Sequence, residues 1–150
     1  GTPVGTVVTD SQGYARVSYD TDGLTIGIHT TRFEFAGDSE LDAGYGESTL
    51  TVLPPNPYLW VNPRTAAAGS VTSLYVCFRT QPDLIPQACK TVTFLIDGTP
   101  VGNVVTDQNG VARCTYSTAG LSVGEHVIRC QFAGDAELAA GYGEAPLTIY

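Results

Sequence analysis

The side chains able to do chemistry here are few: Cys77, Cys89, Cys114 and Cys130, two histidines (His29, His126), the single lysine Lys90, and two carboxylate-rich turns. The cysteines are separated by 11, 24 and 15 residues. A tetrahedral zinc site draws its thiolates from close pairs, so this spacing points away from a metal and toward disulfides. A catalytic thiol needs an electropositive setting. The chain instead carries 15 acidic side chains against 7 basic ones, a net charge of −8. The turns AGDSELDAGYGE (36–47) and AGDAELAAGYGE (133–144) bring Asp38 with Glu40, and Asp135 with Glu137, close enough in sequence to offer oxygen ligands to Ca2+. They match no EF-hand loop, and Asp42 is replaced by Ala139 in the second turn, so a solvated acidic turn is the plainer reading. A GxSxG elbow and a glycine-rich phosphate cradle are both missing. No catalytic residue and no cofactor is therefore expected, and the chain is not expected to be an enzyme. Tyr45, Tyr142, Tyr58 and Trp60 could form an aromatic platform for a sugar, or pack a joint between units.

These groups must be held by a fold that 150 residues can build, and 43% hydrophobic content is enough for a packed core. The acidic excess excludes a nucleic-acid partner, which requires a cationic stripe, and disfavours anionic membrane surfaces. No apolar run approaches the length of a membrane-spanning helix, so no membrane insertion is expected. The chain opens on Gly1 with no signal-peptide pattern, which reads as a mature product or a fragment of something longer.

A long internal repeat organises the sequence. Residues 1–53 align without a gap on residues 98–150, and 32 of the 53 aligned positions are identical. Residues 54–97 have no counterpart within the chain. The expected organisation is therefore a complete unit at 54–150, preceded at 1–53 by the C-terminal half of another unit. A proline-rich linker, LPPNPY, spans residues 53–58. Of the net charge, −6 falls on residues 1–53 and −2 on the rest.

Short β-branched and aromatic runs separated by Gly, Asp and Pro predict an all-β chain. Within the complete unit, strands are expected near 58–62, 70–78, 90–96, 100–105, 111–117, 125–132 and 145–150. Asp97-Gly98 and Asn109-Gly110 mark turns. Alternation turns Ala112, Cys114 and Tyr116 inward, with Ile128, Cys130 and Phe132. Leu74, Val76 and Phe78 also read as inward, which turns Cys77 outward. The first copy places Ala15, Val17 and Tyr19, and Thr31, Phe33 and Phe35, on the matching faces. About four strands are expected there, with their inner faces in need of cover. Two arrangements would supply it: a longer tandem array, or strand exchange between copies of the chain.

Thr91–Phe94 (TVTF), Asp97-Gly98, the step Leu121-Ser122-Val123-Gly124-Glu125-His126, Phe132-Ala133-Gly134-Asp135 and the closing Leu147-Thr148-Ile149 together resemble the bacterial Ig-like repeat of large surface proteins. The resemblance implies an immunoglobulin-like β-sandwich in tandem repeats. It also implies a structural role in a secreted or cell-surface fibre, stalk or filament, with adjacent repeats or copies of itself as partners. An adhesin or carbohydrate-binding module, with a glycan or surface ligand, is the alternative. The insertion CFRTQPDLIPQAC departs from the pattern.

The repeat also bears on the cysteines. Val17 and Phe33 stand where Cys114 and Cys130 do, so both thiols are lost together in the first copy. This favours the pairs Cys114–Cys130 and Cys77–Cys89. Cys77–Cys130 with Cys89–Cys114 stays open as the alternative. A disulfide of this loop size stabilises a fold by about 2–4 kcal/mol. His29 and His126 are equivalent positions, and each is expected to tie a strand end to a nearby backbone group.

Overall fold

The computed structural model describes residues 1–150, in two compact units, Gly1–Leu53 and Pro54–Tyr150. All the regular structure is β, eleven strands in all. The second unit carries nine: β3 (Pro57–Val61), β4 (Arg64–Ala66), β5 (Val71–Thr80), β6 (Ile85–Pro86), β7 (Thr91–Ile96), β8 (Thr99–Val105), β9 (Val111–Ser117), β10 (Gly124–Phe132) and β11 (Gly141–Ile149).

They form two sheets. One has the order β4-β11-β10-β7-β8. In the other, β5 is central, hydrogen-bonded to β3, to β9 and, beyond the end of β9, to the two-residue β6. All pairings are antiparallel except β4 with β11, which run parallel through Leu147↔Arg64 to Ile149↔Ala66. The first segment of the unit thus serves both sheets. Pro63, which has no N–H to give a ladder, stands between β3 and β4 where the chain crosses from one to the other.

The inward faces pack one core. Leu74, Val76 and Phe78 of β5, Val92 and Phe94 of β7, Ile128 and Cys130 of β10, and Leu147 of β11 have no accessible surface. The Phe78 and Phe132 rings meet edge to face, 5.0 Å between centroids. Thr118 is buried too, its hydroxyl donating to the carbonyls of Ala67 and Ser70. The expected facing of β5, β9 and β10 agrees with this burial, Cys77 on the outer side included.

Several boundaries differ from expectation. β4 and β6 are additional strands, and β11 begins four residues before the expected 145. Gly141 and Gly143 concealed that start, because glycine carries no strand preference. Their role is close approach: a Cβ on Gly143 would collide with the Leu59 carbonyl oxygen, and one on Gly141 with Pro57, so β3 lies directly against this end of β11. The linker is also shorter than 53–58. The Pro55 carbonyl accepts from Ala139 N–H, the Asn56 carbonyl accepts from Gln81 N–H, and Pro57 already opens β3. The chain therefore enters the unit beside Ala139 and leaves at the opposite end, where Tyr150 exchanges backbone hydrogen bonds with Ala66 and Ala68.

The first unit holds only a hairpin, β1 (Gly27–Phe35) with β2 (Gly44–Val52), instead of the expected four strands. Its register, Gly27↔Val52 through Phe35↔Gly44, is that of β10 and β11 shifted by the repeat offset. Residues 1–26 form two turns, at Asp10–Tyr14 and Thr21–Leu24, but no strand. The reason lies in the pairing. In the second unit β8 bonds only to β7, and β9 only to β5. Residues 1–53 contain counterparts of β8 and β9 and of neither partner. Only the hairpin, whose strands pair with each other, is self-sufficient.

Gly143→Ala is expected to destabilise the second unit by about 1–3 kcal/mol, the usual cost of overpacking. Urea unfolding followed through Trp60, the one tryptophan, reads that unit alone. The matching Gly46→Ala in the first unit, with nothing within 4 Å of its Cβ, should leave amide hydrogen exchange across the β1–β2 hairpin unchanged. An unshifted urea midpoint for Gly143→Ala would contradict the close approach of β3.

Candidate functional site

The polar groups of the second unit gather along the seam between residues 54–97 and residues 98–150. Lys90, just ahead of β7, reaches Asp135 Oδ2 and Glu137 Oε2 at 2.7 Å each. Asp135 is itself built into the turn: its Oδ1 accepts the N–H groups of Glu137 and Leu138. The two hydrogen bonds to carboxylates, Asp135 first, hold the Lys90 ammonium above its ordinary range. Lys90 in turn holds the Asp135 carboxyl low. The cation taken by Asp135 and Glu137 is thus a protein ammonium. No cluster of three or more His, Cys, Asp or Glu side chains gathers as a metal site would require. In the first unit Asp38 makes the same turn, Oδ1 accepting from Glu40 and Leu41 N–H, and those bonds lower its pKa.

The second polar contact ties the β7–β8 turn to β10. Asp97 Oδ1 accepts Val127 N–H at 2.8 Å, and Oδ2 lies 2.6 Å from His126 Nδ1. His126 Nε2 faces the Ser122 carbonyl at 2.9 Å. Both imidazole nitrogens therefore face acceptors, an arrangement that only the doubly protonated ring satisfies. The Asp97 hydrogen bond first, then the Ser122 carbonyl, raise the His126 pKa. The Val127 N–H, followed by His126, lowers that of Asp97. His29 repeats one half of this, its Nε2 lying 2.6 Å from the Thr25 carbonyl. Both histidines brace a strand end against nearby backbone, as the sequence predicts.

The four cysteines are not bonded to one another in this structure. Cys114 and Cys130 face the core from opposite sheets. Burial pushes the Cys130 thiol up to about 12, and the neighbouring Cys114 acts in the same direction. Burial raises Cys114 as well. Such thiols make poor nucleophiles. Cys77 points away from the core, level with Trp60 and Val111 on the flanking strands, and Cys89 is exposed. The alternative pair Cys77–Cys130 would require the two faces of β5 to be exchanged, so the geometry is against it.

Tyr142 lies on the sheet of β11 with Arg129 4.6 Å from its ring centre, whereas Trp60 stands on the other sheet against Tyr75. Tyr45 carries Arg32 at 4.0 Å in the same way as Tyr142. Glu125, His126, Val127, Glu144, Ala145 and Pro146 line an open depression on the second unit. The lysine seam escaped the sequence reading. Its only trace there is that the sole lysine lies in residues 54–97 while the paired carboxylates occur in both copies.

Two sheets closed over one core, with the opening segment shared between them, define an Ig-like sandwich. The sequence pattern of the family described as Bacterial Ig-like domain (group 3) matches residues 59–149, and the chain belongs to that family. No curated protein matches the sequence. Among solved structures, the Ig1-2 module of the Drosophila receptor protein tyrosine phosphatase DLAR is similar at 20% identity and a TM-score of 0.44. The match covers 65% of this chain and 49% of that one, so the chain spans about half of that module. The fibronectin(III)-like modules of Clostridium thermocellum CbhA match at 16% identity and TM-score 0.40, over 63% of this chain and 93% of theirs. Titin M4 matches at 12% and 0.42, over 66% and 100%.

The histidine contact makes stability depend on pH. The folded pKa of His126 lies above that of the unfolded chain, about 6.5. Its contribution is therefore complete below that value, while Asp97 stays ionised, and is lost as pH rises through the folded value. Unfolding of the second unit in urea should become easier as pH rises above about 6.5, and His126→Gln should flatten that slope. An unaltered slope in the variant would show the contact to be inert.

Proposed function

We propose that the chain is a structural, non-catalytic Ig-like module of an extracellular or cell-surface fibre, stalk or filament, joined to adjacent repeats or to copies of itself. The observation that carries this reading is the repeat period. It is 97 residues, the length of the unit Pro54–Tyr150, and it runs without a gap. Entry and exit at opposite ends of that unit suit modules strung in line. The family supports an extracellular setting, since bacterial Ig-like domains are typical of surface proteins. Electron micrographs of material taken from its native source test the reading: linear rods or fibres are expected, and discrete globular particles would defeat it.

The exposed Tyr142 and Trp60 sustain the second reading, an adhesin or carbohydrate-binding module. Glycan binding abolished by Tyr142→Ala or Trp60→Ala would replace the structural role with that one.

An oxidising compartment goes with a Cys114–Cys130 disulfide between the two sheets, and with Cys77–Cys89 across the insertion. Buried, un-ionised thiols react slowly, so the core pair would have to be oxidised during folding by exchange with a disulfide donor, which leaves as two thiols. Mass spectrometry of unreduced native protein should find it four hydrogens lighter than the reduced form, with Cys114 and Cys130 in one linked peptide. Four free thiols in protein taken from its native source would rule out both bonds.

A further inference from the structure

The outer faces of the two sheets of the second unit differ in charge. β3, β5 and β9 contain no Asp, Glu or Lys, although the unit carries seven acidic residues. Tyr58 and Trp60 of β3, Tyr75 and Arg79 of β5, and Arg113 of β9 alternate with the core residues and point outward. In register, Tyr58 stands opposite Arg79 and Tyr75 opposite Arg113. Arg64 reaches the same face, its Nε donating to the Ser73 carbonyl. The guanidinium carbons of Arg64 and Arg113 lie 5.8 and 5.2 Å from the Tyr75 ring centre, and Trp60 meets that ring edge to face at 6.0 Å. None of these three arginines has a carboxylate partner, whereas Lys90, His126 and Arg129 are each paired with one. Arginines set among exposed aromatic rings, without lysine or acids, have the composition of the centre of a protein–protein contact.

The rest of the same unit is the complement. Its net charge is −2 with these three arginines and −5 without them. On the outer face of the other sheet, Glu125 and Glu144 flank the open depression, and Val127 and Pro146 supply apolar surface beside them. Glu125 has no cationic partner, and Val127 is 46% exposed. Carboxylates around an apolar floor are what an arginine–aromatic surface requires. The outer faces of a sandwich point in opposite directions, so one unit presents its basic face to one neighbour and its acidic face to another.

We propose that the outer face of β3, β5 and β9 docks a second copy of this chain, receiving the Glu125–Glu144 face of that copy's β10 and β11. The contact is heterologous: each copy gives its acidic face on one side and its arginine face on the other. Rows of copies therefore grow side by side without closing. Opposite charges set the pairing, and the exposed ring of Trp60 loses its water in the contact. The proposal deepens the structural reading by naming the surface through which copies meet laterally. It rests on that reading only for a setting in which many copies lie together.

Sedimentation of the 150-residue chain over a range of concentrations tests this. At about 0.02 M salt the mean mass should climb with concentration, and at about 0.5 M salt most of that rise should be lost. The fluorescence of Trp60, the one tryptophan, should shift to the blue as the mass climbs. Arg113→Glu and Glu125→Arg, both at exposed positions, are each expected to weaken the salt-sensitive association about 10-fold or more. Mixed in equal amounts, the two variants should regain it, because each then meets the opposite charge on the other. A misfolded variant gives no such recovery. A mean mass that neither salt nor the two reversals alter would overturn the proposal, as would a mixture that associates no better than its components. A Trp60 shift on adding polyglutamate, with the chain itself monomeric at every concentration, would give the face to a different acidic partner and overturn it as well. Rods in micrographs of native material would leave the structural reading standing in any of these cases.

Discussion

A β-strand is stable only when another strand takes its hydrogen bonds, and in this protein that requirement decides which parts of the chain have structure. In the complete unit the partners are distributed unevenly. β10 and β11 satisfy each other, while β8 and β9 depend on strands earlier in the sequence. The first copy shows the outcome when those earlier strands are not part of the unit. Its hairpin persists in the same register, and the residues matching β8 and β9 form turns and nothing more. Identity at 32 of 53 positions does not rescue them. Local sequence supplies preference, and pairing supplies structure.

The polar seam obeys the same division. Lys90 and Asp97 come from the early part of the unit, and Asp135, Glu137 and His126 from the later part. Opposite charges thus mark the line along which the two halves close. The Lys90 and His126 side chains are largely covered while their carboxylate partners face water, which screens the pairs, so beyond a modest gain in stability they fix alignment. A slip of β7 against its neighbours would separate Lys90 from its two carboxylates and Asp97 from His126 together. The alternating side chains of a strand impose the same penalty on a slip by turning the apolar face outward.

Much of the sandwich was legible in the sequence, because alternation in the segments at 111–117 and 125–132 is strong and is repeated in the first copy. Cys77 was placed on the outer face of β5 by the same rule. The losses have physical causes. β4 comes directly after a proline, β6 is an Ile-Pro pair, and β11 opens on glycines whose value is closeness to β3, which no local pattern reveals. The strands expected at 1–26 failed because their partners lie outside the segment. The acidic turns drew attention to an external cation while the lysine that fills one of them stood 45 residues away in sequence. Distance along the chain hid a contact that the fold makes short.

The parallel contact between β4 and β11 has a mechanical consequence. The chain enters the unit through β3 and β4 and leaves through the end of β11, so tension on the two termini pulls these neighbours in opposite directions along their length. The bonds joining Arg64–Ala66 to Leu147–Ile149 are then sheared together, where a hairpin pulled at its open end would lose them one at a time. The three-residue strand that the sequence failed to announce is therefore the latch on which a pulled unit would hold.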